Sequence, residues 1–206
     1  MKFTPSVYNE DVANEYKMYT YLNAINNSTI ELYGIPSVYF YGCWRDYVLM
    51  AITLIDPKFN NKKEFYVADI LIAFREFVRI SKYIHSRGIY HNDISLGNFM
   101  FRLDRGFIVD FGLATRMYTP TTLRLTPQKA HEDVVRLARD DWANFLFSMS
   151  KIIGLQVCFF GKTVNDEELK EKIFTFLESI YYDELRKVFV EFANEVFGVL
   201  DQSNNN

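Results

Sequence analysis

The chain is poor in cysteine, has no long apolar run and leans only slightly to one sign of charge. Its two cysteines, Cys43 and Cys158, stand far apart and outside any metal-type spacing, which excludes a disulfide framework and fits a reducing compartment. No basic-then-apolar leader opens the sequence, and no apolar run approaches the roughly twenty residues that a bilayer demands. Secretion and membrane spanning are therefore not expected, and the expected location is the cytoplasm, with the nucleus as the other option. With a formal net charge of −3 spread as mixed signs, there is no basic stripe for nucleic acid and no polybasic run for a membrane surface. Internal repeats and interdomain linkers are missing too.

What the sequence does have is core material: 49% of the residues are hydrophobic and 17% aromatic, enough for one globular unit in 206 residues. From Glu10 to Leu22, the apolar positions Val12, Tyr16, Tyr19 and Leu22 recur at helical steps, with Asn9 able to cap. Glu15 falls on or near the inward face, where a carboxylate must find a positive partner or stay solvated. Lys2 is the partner on offer, although a lysine beside the first methionine also reads as a solvated terminal charge.

Tyr33-Gly34-Ile35-Pro36 reads as a turn, and Ser37–Tyr41 and Asp46–Leu54 as a hairpin separated around Gly42. Val67, Ile70, Leu71, Phe74, Phe77, Val78 and Ile84 keep helical period for about five turns, with Gly88 placed to end that helix in a left-handed cap. His85 in its last turn reads as a terminus or packing histidine. Short strands over 98–102 and 107–110 flank a turn at Leu103-Asp104-Arg105-Gly106. The Thr-rich stretch 115–126 is irregular, long enough for a functional loop. His131–Ile153 is expected to be helical, two amphipathic helices fill Glu167–Leu200, and the tail 202–206 is expected to be disordered. The class is α+β.

The chemistry concentrates between Tyr83 and Ala114. His91, Asp93 and Asn98 stand as His-x-Asp-x-x-x-x-Asn, and Asp110-Phe111-Gly112 follows a short apolar hairpin that would bring Asn98 and Asp110 side by side. The two halves together resemble the catalytic and metal-binding loops of protein kinases. A weaker likeness, Gly-Ile-Pro-Ser-Val-Tyr-Phe-Tyr-Gly from Gly34, has a casein kinase 1 flavour.

That resemblance implies a protein kinase-like fold with a reduced N-terminal β lobe and a mainly helical C-terminal lobe. The partial N-lobe would span 1–54, with the end of a lysine strand, a glutamate helix and a hairpin leading to the hinge, and the C-lobe 55–201. It implies ATP and Mg2+ as cofactors. Asn98 and Asp110 would supply the hard oxygen ligands that magnesium prefers, and Asp93 would accept a hydrogen bond from the attacking hydroxyl and align it. Lys2 and Glu15 would be the strand–helix pair that holds the phosphates, and Met50, Ala51, Ile52 and Thr53 the hinge beside the adenine. His91 would pack near Phe111, Gly112 completes the metal loop, and either Asp140 or Asp141 would support the catalytic-loop backbone from a central helix.

The pattern also departs from the family. Asn92 stands where many kinases have an arginine, so an arginine–phosphate control of the following loop is not expected. Ser95 stands where a lysine usually steadies the transferred phosphate, at a cost in rate. No glycine-rich phosphate loop precedes Lys2 and no Ala-Pro-Glu follows the Thr-rich loop, so weak nucleotide binding, or a partner completing an unpaired sheet edge, is expected. The expected function is phosphoryl transfer to a protein hydroxyl. The alternative is a pseudokinase that binds or mimics a partner kinase, and Leu-Ala after Asp-Phe-Gly disfavours a third option, a small-molecule kinase of the aminoglycoside or choline type. Oligomeric state is not legible.

Overall fold

A computed structural model of the chain describes residues 2–5, 9–25, 27–55, 66–102, 105–117, 127–152 and 166–197, with the backbone alone for 2–3, 9, 127–137, 152 and 166. It is α+β. The first half is a three-stranded antiparallel sheet in the order β1-β3-β2, from β1 (Lys2–Pro5), β2 (Val38–Trp44) and β3 (Tyr47–Ile52), with the helix α1 (Asn9–Tyr21) packed on it. Lys2 pairs with Met50 and Pro5 with Tyr47, so β1 is an edge strand of the sheet. The helical period over 10–22 has a clear cause: Val12, Tyr19 and Leu22 are buried, and the Tyr16 ring stacks on Tyr41 of β2 at 4.1 Å. Asn23, at φ 60, ends the helix in the left-handed region that asparagine tolerates.

The hairpin is present with its turn displaced. Gly42 is not a divider: it pairs with Leu49 inside β2, and a Cβ there would lie 2.9 Å from the Phe40 ring. The chain reverses at Arg45-Asp46 instead, where Arg45 takes φ 52 and Trp44 pairs with Tyr47. Between α1 and β2 runs a 3-10 helix, Ser28–Tyr33, that the residue pattern did not announce. Gly34 closes it at φ 78 in a tight crossing, where a Cβ would sit 2.5 Å from the Ile80 side chain and 2.7 Å from the Gly106 carbonyl. Ile108 N–H donates to Gly34 O at 3.0 Å, so this crossing ties the sheet half to the helical half.

The helical half begins with α2 (Val67–Ser86), whose buried face carries Ile70, Leu71, Phe74, Phe77, Ile80 and Ile84. Gly88, at φ 70, ends it as its sequence position suggested, with its N–H on His85 O at 2.9 Å. Then come β4 (Ile89–Tyr90), β5 (Phe99–Arg102), β6 (Arg105–Ile108) and β7 (Thr115–Arg116), in two small antiparallel pairs, β4 with β7 and β5 with β6. Arg105 and Gly106 belong to β6 rather than to the turn, because Gly106 must pass closely over α2: a Cβ there would lie 2.8 Å from Glu76 Cβ.

Three further helices follow among the described residues: α3 (Pro127–Ile152), α4 (Asp166–Ser179) and α5 (Asp183–Phe197). The third starts four residues before His131, at a proline, whose fixed φ and missing N–H suit the first helical position. An aromatic cluster welds α2, α3 and α5: Phe77 stacks on Phe145 at 3.6 Å, Trp142 meets Phe77 edge-on at 5.4 Å, and Phe74 stacks on Phe189 at 4.4 Å. None of the described helices is long and apolar enough to cross a membrane. The expected lobe boundary at Leu54 falls just after β3, and most of the Thr-rich stretch and the tail 202–206 lie outside the described residues.

Candidate functional site

The site is assembled around a buried carboxylate on α3. Asp141 is wholly buried, and it accepts from His91 N–H at 2.8 Å and Asn92 N–H at 2.8 Å, with His85 Nε2 against the same carboxylate at 2.9 Å. Of the two neighbouring aspartates, Asp141 is the one that grips the loop, while Asp140 is exposed. The His85 ring also packs on Tyr90 and Trp142, so it sits at the helix end as a packing and bridging group. Held at two successive amides, the chain turns sharply at Asn92, which takes φ 62.

His91 is fully buried, and its two ring nitrogens have different tasks. Nδ1 accepts from Asp93 N–H at 3.3 Å, so Nε2 carries the proton and donates to Val109 O at 3.0 Å. Burial pushes its pKa below the ordinary value against the opposing pull of Asp141, the Val109 carbonyl, Asp93 and Asp110, which keeps the ring neutral. Its face meets Phe111 edge-on at 4.8 Å, and Phe111 in turn meets Tyr19 of α1 at 5.3 Å. A column of three buried rings thus runs from the loop to α1. Burial, then the Glu15 carboxylate and Asp110, hold the Tyr19 phenol well above its usual pKa.

Asp93, Asn98 and Asp110 are presented together by this frame. Asn98 Nδ2 donates to both the carbonyl and the Oδ2 of Asp93, at 2.9 and 3.0 Å, which leaves the Asn98 side-chain oxygen pointing away from that bond. The β5–β6 pairing, with Phe99 opposite Ile108 and Val109 N–H on Asn98 O at 2.9 Å, sets Asn98 beside the strand end that leads to Asp110. Asp110 itself takes the left-handed conformation, φ 64 and ψ 67, uncommon for a residue with a Cβ and a mark of a constrained position. Asp93, Asp110 and Gly112 line one cleft of about 290 Å³ with Thr4, Asp11, Val12 and Leu113.

The donor set suits a hard divalent cation. Asn98 and Asp110 offer amide and carboxylate oxygens, and magnesium is commonly held by one or two carboxylates with substrate phosphates and water making up the rest. Among the described residues no group of three or more His, Cys, Asp or Glu is arranged to hold a metal by protein ligands alone.

The remaining expected residues lie around rather than in this cleft. Ser95 lines a second cleft of about 450 Å³ with Gly97, Asn144, Ser148 and Lys151, and the Lys151 ammonium sits 4.2 Å over the Phe147 ring. Glu15 is buried on α1, so the solvated option is excluded; Lys2 pairs through its backbone with Met50, and its side chain lies outside the described residues. Met50, Ala51 and Ile52 are still in β3, Met50 wholly buried, and only Thr53 has left the sheet.

Thr53 is held by a group that the sequence reading missed. Its hydroxyl donates to Glu31 of the 3-10 helix, and the same carboxylate takes Arg102 Nη1 at 3.2 Å. Also missed was Asn14, whose amide donates to Gly112 O at 2.7 Å and Ala114 O at 3.0 Å. Its signal was available: a polar residue on α1 beside the inward-facing Glu15. No family model matches the chain.

Proposed function

We propose that the chain carries out ATP- and magnesium-dependent phosphoryl transfer to a protein hydroxyl, on a protein kinase-like fold. The observation that supports it most directly is the presentation of Asp93 and Asp110 at one cleft, with the Asn98 amide bonded to the Asp93 carboxylate, on a loop whose backbone is held by Asp141. Asp93 accepts the hydrogen bond of the incoming hydroxyl and aligns it, while the Asn98 amide holds the Asp93 carboxylate in place. The Asn98 oxygen and the Asp110 carboxylate would hold the cation, which would supply neutralisation of phosphate charge. Neutral His91 does no proton chemistry; it props Asp93 N–H and Phe111. Ser95 brings no positive charge to the transferred group, so the rate is expected to be low.

A second reading, a module that keeps the fold and binds a partner kinase without transfer, draws on the cleft itself. Its volume of about 290 Å³ lies just below the roughly 300–1,000 Å³ range of ligand sites. Transfer of labelled phosphate separates the two, and titration with ATP and magnesium tests the site that both need. Weak, magnesium-dependent binding that is lost in Asp110→Ala is expected, and equal binding by wild type and variant, or none by wild type, defeats the proposal.

A further inference from the structure

We infer that Asn14 and Asn92 are positioning residues, a two-sided strap that holds residues 111–115 between α1 and the loop after β4 and so fixes α1 and Asp110 relative to each other. The consequence for the cleft rests on the reading above; the strap itself does not. After Asp110 the chain makes a single 3-10 turn, Phe111–Leu113, and a turn that short leaves its last carbonyls without helical partners. Three successive carbonyls are then satisfied from alternate sides. Asn14 on α1 takes Gly112 O and Ala114 O, and Asn92 takes Leu113 O at 3.0 Å and Thr115 Oγ1 at 3.1 Å.

An amide suits both positions. One NH2 group donates to two acceptors at once, where an aspartate of the same shape would set oxygen against oxygen. Asn92 meets a second demand, since φ 62 is a conformation that asparagine adopts more readily than most residues. Further ties run the same way: the Arg116 guanidinium lies 4.0 Å over the Tyr21 ring of α1, and Met117 N–H donates to Gly88 O at 2.8 Å. Because Asn14 lies on α1 beside Glu15 and the strapped residues follow directly after Asp110, a movement of α1 pulls on the Asp110 loop.

The test uses Asn14→Ala, which raises helix propensity, and Asn92→Gly, which accepts the positive φ, so that both variants retain the fold. Hydrogen exchange of the full chain is read at Ala114 and Met117 and along 12–19 of α1, with magnesium and ADP titrated in parallel. Loss of two net hydrogen bonds at either position is expected to speed exchange at Ala114 and Met117 by about 5- to 150-fold. Asn92→Gly, which does not touch α1, is expected to speed exchange in α1 as well, and the double variant to show less than the product of the two effects. Affinity for magnesium-ADP is expected to fall in step in both variants. Unchanged exchange at Ala114 and Met117, an α1 indifferent to Asn92→Gly, or altered exchange with undiminished affinity each overturns the inference. If wild type binds no nucleotide, phosphoryl transfer fails as the function, and the strap stands or falls by exchange alone.

Discussion

Asp140 and Asp141 are adjacent and chemically identical, yet their removal should differ by several kcal/mol. Asp141 is wholly buried and accepts from two backbone amides, with His85 against it as a third partner. Asp141→Ala strands the buried His91 N–H and the part-buried Asn92 N–H, at up to about 1–3 kcal/mol each, and removes the partner of His85, for a total near 3–5 kcal/mol. Asp141→Asn keeps one acceptor oxygen but turns an NH2 toward a donor, so roughly 2–3 kcal/mol is expected. Asp140 is exposed, and Asp140→Asn should cost at most about 1 kcal/mol. Urea unfolding followed by circular dichroism reads these values directly; in heat, 1 kcal/mol corresponds to about 2–4 °C at this size. Equal effects at the two positions, or a larger one at Asp140, refute the claim that Asp141 sets the loop.

Two further outcomes bear on the frame. Because burial lowers the His91 pKa below 6.5, the unfolded chain binds more protons than the folded one just below that pH; this stability is complete above pH 6.5 and declines as pH falls, by up to about 1.4 kcal/mol per unit. The urea midpoint of wild type between pH 7.5 and 5 should show this decline and His91→Gln should lack it, so parallel curves speak against a neutral buried ring. Gly34→Ala places a Cβ 2.5 Å from Ile80 and forces φ 78 on a residue that resists it, so a loss of about 2–4 kcal/mol is expected; a loss under about 0.5 kcal/mol would mean that the crossing is looser than described.

The parts legible in the sequence are those written in local period and local chemistry. Val67 to Ile84 announces its helix because every third or fourth residue is apolar, and Gly88 its end because left-handed caps favour glycine. Asp93, Asn98 and Asp110 were visible because their spacing along the chain is itself the pattern. What was hidden depends on contacts between distant segments. Nothing near Gly106 says that it must clear Glu76, nor near Glu31 that Thr53 and Arg102 will converge on it. The choice of Asp141 over Asp140 turns on one helical step of about 100°, which decides between core and water. The displaced hairpin turn follows the same logic: a glycine looks like a divider until the Phe40 ring that covers it is in place.

The claim that Asp93 aligns a hydroxyl for phosphoryl transfer is met most directly by labelled phosphate. Wild type incubated with γ-labelled ATP, magnesium and a protein acceptor should transfer label slowly, and Asp93→Ala, folded with a stability within about 1 kcal/mol of wild type, should transfer none. Transfer by the variant at the wild-type rate, or no transfer by a wild type that binds magnesium-ATP, contradicts the account.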